Sequence, residues 1–196
     1  MVVLKFGGTS VGNVENIKNV ANIINNDIEK IVVLSAMSGT TNTLDKIAKF
    51  LYKKDNESAT KTIKELEKKY IKTVDELFKT STYKKIGKEL IKSHFTLIYS
   101  FTQDLFTLFE EKTILAQGEL LSTALFHYYL KEQNIKSELI SALNFMRIDK
   151  DGEPDMFYIK ENLERELQKH PNNTIFITQG YITRNVFGEI DNLKRG

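Results

Sequence analysis

Lys5-Phe6-Gly7-Gly8-Thr9-Ser10-Val11-Gly12 is the stretch on which the reading of this chain turns. The apolar run before it, Met1 to Leu4, is too short for anything but a buried strand. After it, Val14, Ile17, Val20, Ile23 and Ile24 recur three or four apart, the spacing of one helix face. The local order is therefore strand, glycine-rich turn, helix. Such a turn leaves backbone N–H groups unpaired at a helix N-terminus, where the aligned peptide dipoles favour an anion. Gly7 and Gly8 have no side chain to hold a phosphate off the backbone, and Lys5 can offer its ammonium to the same anion. A bare Gly-Gly would more readily mark a plain strand-to-helix turn. The combination Lys-x-Gly-Gly-Thr-Ser favours an anion site built from Lys5, Gly7, Gly8, Thr9 and Ser10. The Walker spacing of glycines, Lys and Ser/Thr is absent, so the turn is not an ordinary P-loop.

Apolar residues at 41% and charged residues at 28% fit a soluble globular protein. At 196 residues the chain can close one sizeable core. A net charge of +2 argues against a nucleic-acid footprint. The absence of cysteine removes a disulfide framework and thiolate metal sites. No apolar stretch reaches the ~18 residues of a membrane span, and no secretory leader precedes the first strand. A cytoplasmic location follows by default.

Outward from the opening turn, Ile31 to Leu34 reads as a second buried strand, making a parallel strand-helix-strand unit. It ends in Ser35-Ala36-Met37-Ser38-Gly39-Thr40-Thr41-Asn42, at the carboxyl end of a parallel strand, where open α/β sheets bind ligands. Thr43 or Asn42 is placed to cap a helix from Leu44. Residues 44–112 are rich in Lys and Glu, with Gly87 as their one glycine. Ile63, Leu66, Tyr70, Val74 and Leu77 form one apolar stripe. After a break at Thr80-Ser81-Thr82, Ile86, Leu90, Leu97, Phe101, Leu105 and Leu108 form another, beside a second set in Ile91, Phe95, Ile98 and Phe109. Two long antiparallel helices joined by a short turn fit this pattern. Lys53-Lys54, Lys68-Lys69 and Lys84-Lys85 fall outside the stripes and read as a solvated face.

Gln117-Gly118-Glu119-Leu120-Leu121-Ser122 opens a helix that is apolar almost all round. Glu119 at its start is either a first-turn Glu favoured by the helix dipole or a buried carboxylate that needs a cation. Ser137 to Ile140 reads as a third strand, and Tyr158 to Gln168 as a helix stopped by Pro171. Thr174 to Thr178 is a fourth buried strand, followed by Gln179-Gly180-Tyr181. Ile182 to Leu193 reads as a hairpin turning near Phe187-Gly188. The histidines His94, His127 and His170 have no second ligand at metal spacing and read as structural. No metal site is expected from this chain's own residues.

Lys5 to Val11 resembles the opening signature of the aspartokinases, in the amino-acid kinase superfamily. Three later segments resemble that family in the same order: Ser35-Ala36-Met37 with Thr41-Asn42, Gly118-Glu119-x-Leu121-Ser122, and Thr178-Gln179-Gly180-Tyr181, where the family has Phe for Tyr. The resemblance covers nearly all of the chain. It implies an α/β, carbamate kinase-like fold, with a mainly parallel sheet between helices and a helical insertion at about 44–112. Residues 1–196 would be the amino-terminal, aspartate-binding lobe. In that family the reaction takes ATP and L-aspartate to ADP and 4-phospho-L-aspartate, the first step toward lysine, threonine and methionine. By resemblance Lys5, Gly7 and Gly8 are catalytic, stabilising charge on the transferred phosphoryl group. Ser35, Thr41, Gly180 and Tyr181 line the aspartate pocket, Glu119 takes the substrate ammonium, and Arg195 takes a carboxylate. ATP and Mg²⁺ serve the longer enzyme, and a homo-oligomer is expected.

The family usually has an aspartate and an arginine just after the third strand. Here the sequence is Ser141-Ala142-Leu143-Asn144-Phe145, with Arg147 later, and the stretch from Ser141 to Asp155 is assigned no role. The family also continues past the hairpin through Arg-Gly-Gly-Ser-Asp into a nucleotide lobe, whereas this chain stops at Arg195-Gly196. The expectation is a fragment that folds without phosphorylating aspartate, its last strand and hairpin (174–193) left as an edge for dimerisation. The alternatives are a non-catalytic module that binds aspartate or supports assembly, and another kinase of the superfamily.

Overall fold

Short β-branched runs alternate with amphipathic helices through the first third of the chain, and the pattern builds a parallel sheet. The computed structural model describes residues 1–103 and 105–194. Its elements run β1 (Val2–Phe6), α1 (Val14–Ile24), β2 (Lys30–Leu34), α2 (Thr40–Tyr52), α3 (Asn56–Leu77), α4 (Ser81–Ser100) and α5 (Leu108–Glu132). There follow β3 (Glu138–Leu139), α6 (Met156–Gln168), β4 (Ile175–Gln179), β5 (Ile182–Arg184) and β6 (Ile190–Asn192). The sheet has the order β1-β2-β4-β3, with every pair parallel. β5 and β6 make the predicted hairpin as a separate antiparallel pair, with Gly188 in its turn at φ +80°.

α1 is capped by Asn13, whose side chain accepts the Asn16 N–H at 2.8 Å. It buries Ile17, Val20, Ala21 and Ile24, while Ile23, counted with the stripe, is 58% exposed. Residues 9–13 therefore separate Gly8 from the helix. The Gly7-Gly8 amides do not form the helix N-terminus as expected, and the Asn13 side chain already serves that end. At the other end of α1 the buried Lys30 ammonium donates to the carbonyls of Ile24 (2.9 Å) and Asn26 (2.8 Å) and to the Asn26 side chain (2.7 Å). A cation suits the negative end of a helix dipole.

The block between 40 and 107 differs from the two-helix expectation. α2 starts at Thr40, four residues before Leu44, with Gly39 as its N-cap at φ +78° and no side-chain cap. The Thr43 hydroxyl instead donates back to the Gly39 carbonyl, at 2.9 Å. α3 carries the first stripe as predicted, with Ile63, Leu66, Tyr70, Val74 and Leu77 all buried. On α4 the order of the two stripes is reversed. Ile91, Phe95 and Ile98 are the buried set, and Leu97 is 40% exposed. α4 ends at Ser100, so Leu105, Leu108 and Phe109 do not continue it. The pattern misled because α5 begins at Leu108, without a break in polarity. Gly87 lets α4 cross α3 closely, since a Cβ there would stand 2.9 Å from Val74 Cγ2 and 3.0 Å from Phe78.

α5 packs against α2 and α4 on one side and against β4 and the hairpin on the other. That double packing explains a helix that is apolar all round. Because it begins at Leu108, Glu119 lies in its middle and not in a first turn. The expected free edge at 174–193 is also corrected. β4 is interior, between β2 and β3, and the strands at the ends of the sheet are β1 and β3.

Candidate functional site

The carboxyl ends of β1, β2 and β4 meet at one cavity of about 380 Å³. Six residues singled out from sequence line it together: Lys5, Ser35, Thr41, Glu119, Gly180 and Tyr181. Leu193 and Lys194, not anticipated, complete the lining. Lys5 is the fourth residue of β1, Ser35 directly follows β2, and Gly180 directly follows β4. An adjoining groove of about 260 Å³ shares Ser35 and Thr41 with the cavity and adds Gly8 and Thr9. Gly7 is exposed, with nothing within 4 Å of where a Cβ would stand. No acceptor among the described residues takes the backbone N–H of Gly7 or Gly8. Ser10 parts from the others and lines a shallow groove against α1, beside Asn16, Asn19 and Ile23. Arg195 lies outside the described residues.

Glu119 is the buried charge of the site, at 4% exposure. One carboxylate oxygen accepts the N–H of Gly180 at 2.8 Å and of Tyr181 at 2.6 Å. The Ser35 hydroxyl and the Ala36 N–H also donate to the carboxylate. No Lys, Arg or His forms an ion pair with it among the described residues. The cation that sequence reasoning required is thus replaced by neutral donors. They offset only part of the desolvation, and burial pushes the Glu119 carboxyl up to about 7. A carboxylate in that state has strong reason to accept a cationic ligand.

The supports of the site come from neighbouring turns of α5. The Ser122 hydroxyl donates to the Ser35 carbonyl at 2.8 Å. Gln179 donates to the Thr123 hydroxyl at 2.7 Å and accepts the Ala142 N–H at 2.7 Å. It therefore ties α5 to the short 3-10 turn Ala142–Asn144. Gly118 lets α5 approach the loop after β2, because a Cβ there would stand 3.0 Å from that of Ala36. Gln179 was quoted from sequence without a role; its place beside Gly180 was the available signal.

The 141–155 stretch meets the site through the Ala142 N–H and through Glu153. Arg147 pairs with Asp155 through two nitrogens, at 3.2 and 2.6 Å, and lies over the Tyr158 ring at 3.9 Å, so it is spent on local structure. Glu153 pairs with the cavity-lining Lys194 at 2.9 Å. The histidines are each engaged by a neighbour: His94 with Gln117 (2.6 Å), His127 with Ser137 (3.1 Å) and His170 with Glu138 (3.5 Å). Burial takes the His127 imidazole down to about 4. Among the described residues no group of three or more His, Asp or Glu could hold a metal ion. No helix among them is long and apolar enough to cross a membrane.

A parallel sheet with an open glycine turn after its first strand, and a cavity lined by a buried carboxylate where three strands end, defines an α/β protein with a polar cavity at the carboxyl ends of its strands. Residues 1–195 match the amino acid kinase family, and the chain belongs to it. It is 28% identical over 200 residues to lysine-sensitive aspartokinase 3 of Escherichia coli (strain K12), covering all of this chain and 44% of that protein. It is 30% identical over 205 residues to an aspartokinase of Chlamydia trachomatis, covering 43% of that protein. Among solved structures, E. coli aspartokinase III in complex with lysine and aspartate superposes with a TM-score of 0.83 at 25% identity, over all of this chain and 44% of that one. The aspartate kinase of Clostridium acetobutylicum, at 19% identity and a TM-score of 0.76, shares the fold. The chain spans less than half the length of these relatives.

Proposed function

We propose that this chain is the aspartate-binding part of an aspartokinase, in which the γ-phosphoryl group of ATP passes to the β-carboxylate of L-aspartate. Glu119 is the observation that carries the reading. It is a buried carboxylate with neutral donors and no cation among the described residues, at the wall of a cavity large enough for an amino acid. An α-ammonium beside it would restore its charge, and desolvation makes such a pair selective. Ser35, Thr41, Gly180 and Tyr181 line the same cavity and would shape it around the substrate. Arg195 would take a substrate carboxylate in a bidentate pair. Two structures of E. coli aspartokinase III support the choice, one in complex with lysine and aspartate and one with aspartate and ADP.

In the proposed reaction a β-carboxylate oxygen attacks the γ-phosphorus as its bond to the ADP oxygen breaks. The nucleophile is already ionised, so positioning and charge neutralisation carry the catalysis. Lys5 and the unpaired N–H groups of Gly7 and Gly8 would stabilise the transferring phosphoryl oxygens. The groove shared by Gly8, Thr9, Ser35 and Thr41 joins that turn to the amino-acid cavity. Mg²⁺ accompanying ATP finds no ready-made ligand cluster among the described residues.

Titration calorimetry of this chain with L-aspartate and with succinate, which lacks the ammonium, tests the reading. The wild type is expected to prefer aspartate, and Glu119→Gln to lose that preference. Equal binding of the two ligands by the wild type would overturn the assignment.

A further inference from the structure

We propose that Lys69 and Tyr70 of α3 are positioning residues that clamp the loop after β2 (residues 35–41), and so hold Ser35 and Thr41 for the substrate. The proposal rests on the aspartate-pocket reading for what the loop receives; the clamp itself stands on geometry. The Lys69 ammonium donates to the Ser38 carbonyl at 2.7 Å. The next residue, Tyr70, shares a hydrogen bond with the Thr40 hydroxyl, its Oη 3.1 Å from Thr40 Oγ1, and both residues are wholly buried. Two consecutive residues point about 100° apart around a helix, yet here both end on the same three residues of one loop.

Other bonds hold the ends of this segment, with Ser122 on the Ser35 carbonyl and Thr43 on the Gly39 carbonyl, and Ser38 between them depends on Lys69. Gly39, the N-cap of α2, supplies no side chain, and the Ser38 carbonyl takes no backbone donor among the described residues. Lys69 forms no ion pair among them either. Its ammonium stands near the positive end of the α2 dipole, where a cation is disfavoured. Charge pairing therefore does not explain its position, and the carbonyl bond does. The loop is also closely packed against the site. A Cβ on Gly8 would stand 3.1 Å from the Ala36 carbonyl oxygen, and one on Gly12 would stand 2.9 Å from Ser38 Cβ. A loop that drifts away from α3 disturbs the glycine turn and the Ser35 hydroxyl that serves Glu119 together. Lys69 lies on the exposed face that the Lys68-Lys69 reading gives it, and its ammonium nevertheless reaches back to the Ser38 carbonyl.

Hydrogen exchange and aspartate titration of the 196-residue chain test this, in wild type, Lys69→Met, Lys69→Arg and Tyr70→Phe. In Lys69→Met and Tyr70→Phe, exchange at residues 35–41 is expected to quicken by about tenfold while β4 is unchanged, and aspartate affinity to fall by about tenfold, each the effect of one lost bond of this kind. Lys69→Arg should restore both, because a guanidinium also donates to a carbonyl. Unchanged exchange at 35–41 overturns the clamp, and a loosened loop with affinity within about twofold of wild type overturns the positioning role. If the wild type binds no aspartate, the pocket reading is what fails, and exchange alone decides the clamp.

Discussion

Glu119 shows how one residue can be tuned by its surroundings without a charged partner among the described residues. Its carboxyl is raised from an ordinary 4.5 to about 7 because burial outweighs four donors. The folded chain therefore holds that proton more tightly than the unfolded chain. The stability linked to Glu119 is full below 4.5, is lost as pH rises through about 7, and is flat above that. Urea melts of wild type and Glu119→Gln across this window should show the slope in the first and its loss in the second. An arriving ammonium reverses the shift, so aspartate binding at pH 7 should release about half a proton. Calorimetry in buffers of different ionisation enthalpy reads this directly, and a buffer-independent heat would place the ammonium elsewhere. Glu119→Gln should weaken aspartate binding by about 2–5 kcal/mol, the cost of removing one partner of a buried charged pair. Lys5 belongs to a different step. In the longer kinase Lys5→Ala should lower kcat far more than it changes the KM for aspartate, since its charge matters most as the phosphoryl group transfers. Steady-state kinetics with kcat intact and KM raised would remove it from that role.

Among the elements, α3 and α4 depend on a close crossing. Gly87 has Val74 and Phe78 at 2.9–3.0 Å from where a Cβ would stand, and both neighbours are core residues at 0% and 2% exposure. In an isolated helix Gly→Ala gains about 1 kcal/mol of propensity. Here the added carbon meets side chains that cannot yield, and overpacking of a core costs about 1–3 kcal/mol. The second effect should win, so Gly87→Ala is expected to lower the urea midpoint without changing the slope of the transition. A raised midpoint would mean that the crossing relaxes freely.

At the scale of the whole molecule, one exposed apolar feature is the β1 end of the sheet. Val2 and Val3 are 43% and 66% exposed. An apolar strand with one free edge invites pairing with a second copy. We expect this chain to self-associate through β1, and Val3→Lys to reduce that association in sedimentation velocity. Unchanged association would move the contact elsewhere. The expectation that the last strand of the sheet would be a free edge does not hold for β4. Parallel crossovers instead placed β4 between β2 and β3.

Local chemistry alone determined the four strands and the glycine turn after the first, by short-range rules: β-branched runs make buried strands, and glycines and small hydroxyl residues collect where parallel strands end. The helical stripe of α3 was legible for the same reason. Most of the residues that line the cavity were named by resemblance to the aspartokinases. Other features depended on packing between segments far apart in the chain. Tertiary structure decided that α5 begins at Leu108, because its first turns are as apolar as the end of the preceding stripe and periodicity cannot mark the boundary. It decided that neutral donors from β2 and β4 surround Glu119, since backbone N–H groups leave no trace in a sequence. It also decided that Lys69 reaches the loop after β2, because a surface lysine looks the same in sequence whether it meets water or a carbonyl 31 residues away.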